Sequence, residues 1–446
     1  MHPDRPLHEV VDLLDPESNL LHGTTLGGAR AAVASGDPAS VAAIRGDFAL
    51  VARDGNRVRM ARSLSRPLRY FLAKGPGGPV LIVAERIDEI RRELSRRGWG
   101  VQFHPSYTRM VPAHHVLTVD LVGCPDPSPT LARFLAPERA SLPADPEKLG
   151  TLYVERTAAE IDAWLDAVDP REPIGVSFSG GVDSGAVLLL LDFLLRRRGE
   201  PGTRLKAFTL SVEGGGEDLA QARAFLEATG LGYYHEALEV PRSAVSVDEA
   251  VRVVEDYKPL DVQAAAMNLA LCRAIRARYP LWRHLADGEG GDENFKDYPL
   301  ETGGEVTIRS VLSNSLLYHE GWGVSALKHS QTYSGGLSRA ITRTHAPAAS
   351  VGLRAFSPFT RPAVVAAAEA IPFVELTAWD EERLYRLKGD LVSRGVRAVT
   401  GREMPVFPKR RFQEGAASEE DFRSLFPAEE HAYREAFAKV FTGAFA

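Results

Sequence analysis

The chain has 446 residues, 44% hydrophobic and 25% charged, with a formal net charge of −6. That length accommodates two or three domains with sizeable cores, and the negative balance removes the electrostatic case for nucleic acid as the main partner. Only two cysteines occur, Cys124 and Cys272, which excludes a disulfide framework and a zinc cluster and fits a reducing, cytosolic setting.

The first residues, Met1-His2-Pro3-Asp4-Arg5, lack the apolar core of a signal peptide. Residues up to about 120 read mainly as strands and turns. Phe48 to Ala52 and Val58 to Arg62 flank Asp54-Gly55-Asn56, a hairpin signal. Arg69 to Ala73 and Pro79 to Ala84 look like further strands around Gly-Pro-Gly-Gly. Pro125 to Pro146 reads as a linker. The expected domains are therefore residues 1–122 and 151–446, with 123–150 between them.

From Thr157 onward, Ala/Leu-rich helices alternate with short apolar strands: Ile174 to Val176, Lys206 to Val212, the segment around Tyr233-Tyr234-His235, and Trp282 to Ala286. That alternation predicts an α/β fold with a doubly wound parallel sheet. The most apolar run, Val187 to Leu195, is interrupted by Asp192 and is too short to span a bilayer, so it reads as a buried helix and no membrane partner is expected. The basic runs Arg91-Arg92, Arg96-Arg97 and Arg196 to Arg198 read as solvated helix faces.

Residues 177–187, Ser-Phe-Ser-Gly-Gly-Val-Asp-Ser-Gly-Ala-Val, are the most informative stretch. A strand, a small-residue loop and a helix make an anion-binding arrangement. Glycines admit the phosphates close to the backbone, and the first helical N–H groups point at them. Asp183 makes sense beside phosphates if it holds a bridging divalent cation. The spacing is neither a Walker loop nor G-x-G-x-x-G. A bare Gly-Gly turn between strand and helix is the plain alternative.

Three further stretches make a pattern. Asp287-Gly288-Glu289-Gly290-Gly291-Asp292-Glu293 is followed by Phe295 and Tyr298, and later come Phe356-Ser357-Pro358-Phe359 and Phe407-Pro408-Lys409-Arg410-Arg411-Phe412-Gln413-Glu414-Gly415. With the Ser-Gly-Gly-Val-Asp-Ser loop, their order resembles the asparagine synthetase and β-lactam synthetase family, well over residues 155–415 and weakly over 40–120. The resemblance implies adenylation of a substrate carboxylate with ATP and Mg2+, capture of the acyl-adenylate by an amine, and release of AMP and pyrophosphate. It implies that Ser179, Gly180, Gly181 and Ser184 grip pyrophosphate and that Asp183 and Asp292 hold magnesium. Leu210, Val212 and Gly288 would lie near adenine and ribose through backbone contacts. Lys409 would stabilise charge in the transition state. Tyr298, with Glu320 as its partner, would help deprotonate the nucleophile. The plain alternatives are a helix cap for Asp292 and Glu293, a solvated basic loop for Lys409, a core or rim aromatic for Tyr298, a surface residue for Glu320 and a structural role for His235. The substrate pocket would be lined by Tyr257 to Asn268 and Ser330 to Arg343, with Gln331, Tyr333, Ser334 and Arg339 supplying polar groups.

Gly46-Asp47-Phe48-Ala49-Leu50, Ala61-Arg62 to Tyr70 and Val83-Ala84-Glu85 echo the tail of the family's glutaminase domain. His2 and Pro3 stand where that domain places its nucleophilic cysteine. The resemblance thus implies a shortened, β-rich Ntn-hydrolase-like α+β domain without glutaminase chemistry. The reading is a cytoplasmic ligase acting on small-molecule carboxylate and amine substrates, with a homo-oligomer left open. The Ala- and Arg-rich composition suggests, by analogy with uncoupled relatives, a natural-product pathway. A tRNA-modifying ATP pyrophosphatase and an inactive binding protein of the same fold are the alternatives. The first lacks a basic RNA-binding appendage, and both metal carboxylates argue against the second.

Overall fold

The computed structural model describes residues 9–121, 129–297, 307–313, 341–408 and 412–441. The chain divides into two compact units, one comprising Met1–Ala136, Tyr318–Ile341 and Phe437–Ala446, the other Pro137–Leu317 and Thr342–Ala436.

The first unit contains strands β1 (Glu9–Asp12), β2 (Leu20–His22), β3 (Arg45–Asp47), β4 (Ala49–Asp54), β5 (Arg57–Arg62), β6 (Arg69–Gly75), β7 (Gly78–Ala84), β8 (Arg109–Met110), β9 (His115–Asp120) and β10 (Thr130–Arg133). They form two four-stranded sheets, β1-β7-β6-β8 and β10-β9-β5-β4, and a short β2-β3 pair. Strand β10 lies inside the Pro-rich stretch expected to be linker and pairs antiparallel with β9. The period of two along a strand explains the packing. Ala49, Val51, Tyr70, Leu81 and Val83 face the core between the two sheets. Phe48 and Leu50 face the opposite way, onto Ala29 and Val33 of helix α1 (Leu26–Ser35). A further helix, α2 (Pro38–Ala42), precedes β3, and α3 (Ile87–Arg96) follows β7, burying Ile87, Ile90 and Leu94. These helices stand beside the strands of the β-rich, α+β unit that was expected. Thr25 caps α1 by accepting from the Gly28 N–H, a start signal hidden by the glycines that follow it.

The second unit is built on β11 (Ile174–Ser177), β12 (Leu205–Val212), β13 (His235–Val240), β14 (His284–Ala286) and β15 (Arg354–Phe356). Their order is β13-β12-β11-β14-β15, and every pair is parallel. The sheet grows one way from β11 to β13 and then the other way through β14 to β15. The chain therefore has a topological switch beside β11, where open α/β sheets open a crevice at the carboxyl ends of their strands. Helix α4 (Pro146–Ala167) is started by Asp145, which accepts from the Lys148 N–H, with Pro146 in the first turn. Helix α5 (Val182–Arg197) follows β11, with Ala186 to Leu191 fully buried. Helix α6 (Asp218–Thr229) follows β12, and α7 (Val247–Val254) and α8 (Pro259–Arg278) come between β13 and β14. Helix α4 also meets the helix Glu381–Thr400. A Cβ on Gly150 would come within 2.2 Å of the Leu391 carbonyl, and one on Gly395 within 2.1 Å of the Gly150 carbonyl. Only glycine allows this crossing, and it fixes the later helix beneath the site.

Among the described residues, no helix is long and apolar enough to cross a membrane. Of the basic runs, Arg97 pairs with Glu9 and Glu93, Arg196 with Asp192, and Arg198 with Asp162 and Asp166.

Candidate active site

The site begins where β11 ends. Ser179-Gly180-Gly181 turns the chain into α5, whose N-cap Gly181 provides no side-chain cap. The first N–H groups of a long helix are thus left without the usual side-chain acceptor, which suits an anion. Gly180 has φ +75°, and a Cβ there would lie 2.9 Å from backbone atoms of Ala222 on α6. Both conformation and space require glycine. The Ser184 hydroxyl lies 3.3 Å from both the Ser179 N–H, which donates to it, and the Ser179 hydroxyl. Gln221 Nε2 donates to the Ser179 carbonyl at 3.3 Å, holding the loop from α6.

The second loop follows β14 and folds directly onto the first. A Cβ on Gly288 would lie 2.8 Å from both Asp183 Cβ and the Ser184 nitrogen. One on Gly291 would lie 2.2 Å from Asp183 Oδ1. Two glycines remote in sequence from the first loop thus let the loops interlock. Asp287 shapes the turn from its buried position. Its Oδ1 accepts from the Glu289 N–H at 3.0 Å and from the Ser357 hydroxyl at 2.5 Å, and His345 Nε2 lies 3.2 Å from the same hydroxyl. Burial pushes the Asp287 carboxyl up to about 6, against the hydrogen bonds that lower it.

Asp183 and Asp292 converge on one cation, the ammonium of Lys388. Its Nζ lies 2.8 Å from Asp183 Oδ2, in contact with Asp292 Oδ1, and 3.0 Å from Asp297 Oδ2. Burial alone would lower the Lys388 pKa, but the charges of Asp183, Asp292 and Asp297 outweigh it and hold the group well above its usual value. Burial pushes Asp183 up to about 6, with Lys388 opposing and Asp292 adding to the rise. Among the described residues, no group of three or more His, Cys, Asp or Glu is arranged to hold a metal ion by itself. Magnesium does not require one, since it commonly takes one or two protein carboxylates and completes its shell with phosphates and water. Two carboxylates already meeting at a single cation beside the N-terminal end of α5 fit that chemistry.

Leu210 and Val212 are buried on β12, level with Leu238 and Val240 of β13. The Val212 N–H donates to Ala416 and the Val212 carbonyl accepts from Gly215, both at 2.9 Å. A nucleotide contact through the Val212 backbone would therefore compete with bonds already made. His235 Nε2 lies 3.2 Å from Thr209 Oγ1, and burial lowers its pKa. Tyr298, Glu320 and Lys409 lie outside the described residues, as do Gln331, Tyr333, Ser334 and Arg339. Of the expected pocket wall, α8 is described. Its Asp261 Oδ1 lies 3.0 Å from Arg343 Nε, whose guanidinium also reaches Glu289 at 3.6 Å and Glu293 at 4.0 Å.

Lys388 and Asp297 are absent from the residues singled out by motif. The signal for Lys388 was present as a polarity fault. On the helix Glu381–Thr400, the buried stripe runs Leu384, Leu387, Lys388, Leu391 and Val392. A lysine inside an apolar stripe needs a buried partner. Asp297 follows the acidic motif and carried no such mark.

No curated protein matches this chain. The family model described as asparagine synthase matches residues 162–310, from α4 through both interlocking loops. Enzymes of that family use ATP, often with magnesium, and form amides. Over residues 162–310, the part of the α/β domain that carries the two interlocked loops, the chain is similar to the asparagine synthase family.

Proposed function

We propose that the protein is an ATP-dependent, AMP- and pyrophosphate-forming ligase. It adenylates a small-molecule carboxylate and joins it to an amine from a source other than glutamine, in a natural-product pathway. The observation that carries this reading is the seating of Gly288 on Asp183 and the Ser184 nitrogen, which brings the phosphate loop and the second acidic loop into one site.

In this reading the α5 N–H groups, Ser179 and Ser184 receive the β- and γ-phosphates. A substrate carboxylate oxygen attacks the α-phosphorus and the bond to the β-phosphate oxygen breaks, so pyrophosphate leaves. The amine then attacks the acyl carbon, AMP departs with its bonding electrons, and the amine gives up a proton. Tyr298 with Glu320 is the proposed base, and Lys409 the proposed cation over the transferred charge. A divalent cation on Asp183 and Asp292 would neutralise phosphate charge. The non-glutamine amine is supported by the state of Cys272. It is buried on α8, and burial pushes its thiol up to about 12, which keeps it protonated and inert.

The test is pyrophosphate release from ATP and magnesium across a panel of carboxylic acids, with ammonium or glutamine as nitrogen source. The reading expects carboxylate-dependent release and no glutamate above background. Glutamate formed by the pure protein would overturn the non-glutamine assignment.

A further inference from the structure

We propose that Lys388 is the resident cation of the metal-binding carboxylates and that Asp297 is the seat to which it withdraws when a divalent ion binds. The inference rests on the nucleotide-site reading above and deepens it. Lys388 Nζ touches Asp183, Asp292 and Asp297 together. The first two are partly open, at 19% and 36% side-chain exposure, whereas Asp297 is 2% exposed. An ion arriving with a nucleotide therefore reaches Asp183 and Asp292 and not Asp297. Two cations cannot share the same pair of oxygens at contact distance without strong repulsion. The ammonium sits on a flexible four-carbon stem and can shift while its helix stays fixed at the Gly150–Gly395 crossing. At Asp297 it stays paired with a deeply buried carboxylate.

Charge supports the exchange. Three carboxylates and one ammonium leave a net charge of −2, and one divalent cation cancels it. Without the ion, Lys388 holds the three carboxylates together. With the ion, the same lysine stays nearby as a counter-charge for the phosphates.

The experiment uses the full chain, in its first arm without nucleotide or substrate. Thermal unfolding is followed in EDTA and in about 10 mM MgCl2 or MnCl2. Wild type should shift by no more than about 1 °C between the two. Lys388→Met leaves the carboxylates without their cation and should gain about 4 °C or more from the metal. Equal shifts in the two proteins would overturn the proposal. If Lys388→Met is unfolded under both conditions, Asp297→Asn decides. With its alternative seat gone, Lys388 stays on Asp183 and Asp292. The magnesium concentration giving half-maximal binding of a non-hydrolysable ATP analogue should rise about tenfold, equivalent to about 1.4 kcal/mol. An unchanged requirement would overturn the proposal. Neither arm measures ligation, so a failure of pyrophosphate release would sink the functional reading and leave this result standing by itself.

Discussion

Lys388 Nζ lies 2.8 Å from Asp183 Oδ2 although 205 residues separate them in sequence. That contact joins the helix Glu381–Thr400 to the first turn of α5, and Asp292 closes the triangle from the loop after β14. The family match ends at residue 310, so the lysine that completes the acidic pair comes from a part of the chain beyond it.

Gly288→Ala tests the interlocking of the two loops. The added methyl would stand 2.8 Å from the Ser184 nitrogen and from Asp183 Cβ, neither of which is a flexible chain end. Overpacking of this kind costs about 1–3 kcal/mol. We expect weakened ATP-analogue binding by about tenfold to a hundredfold, measured by calorimetry, with the far-ultraviolet circular dichroism unchanged. Wild-type affinity in the variant would show that the loops do not meet around the phosphates.

A pH experiment addresses Asp287. Its folded carboxyl is raised to about 6 against 3.8 in the unfolded chain, so the native state binds more protons between those values. Stability from this group is present at low pH and is lost as pH rises through 6. Full ionisation then costs about 3 kcal/mol. Asparagine keeps the acceptor for the Glu289 N–H and the Ser357 hydroxyl without a charge. The stability of Asp287→Asn relative to wild type should therefore improve from about pH 4 to a little above pH 6 and then level off, in thermal melts. A difference that is constant or shrinks between about pH 4 and pH 6 would contradict the assignment.

The β11–α5 region was legible because three signals agree there: an apolar run, a Ser-Gly-Gly turn and a long apolar helix. Strands β12 and β14 stood out as short apolar runs between helices, whereas β13 was expected around Tyr233-Tyr234-His235 and starts only at His235, after a 3-10 turn over Gly232–Tyr234. Strand β15 did not, because Arg354–Phe356 is three residues long and leads at once into Pro358. Helix α1 was hidden by Gly27 and Gly28, which lower helix propensity where Thr25 nevertheless caps it. Asp183 was singled out from its place beside the Ser-Gly-Gly loop and Asp292 through the family resemblance. Their common partner was not, since spacing carries no information about a contact made by a helix far along the chain. The role of Asp287 was equally silent, because it depends on Ser357 and on burial, neither of which is local to it.

Lys409 is a proposed point cation in the segment between β15 and the C-terminal helices. Removing a preorganised donor of this kind costs about 3–4 kcal/mol, or roughly a hundredfold to a thousandfold in rate. Lys409→Met should lower turnover by that factor while ATP-analogue binding changes little. Arg410→Ala is the control. Equal and mild effects from both substitutions would reduce the segment to an electrostatic rim.

The most direct measurement is the identity of the phosphorus products. Wild type and Asp292→Asn are incubated with ATP, magnesium and a pool of small carboxylic acids and amines, and the mixture is followed by phosphorus NMR. The account predicts AMP and pyrophosphate in equal amounts, dependent on the carboxylates, and none from Asp292→Asn although that variant remains folded. Formation of ADP and inorganic phosphate, or full activity in Asp292→Asn, would contradict it.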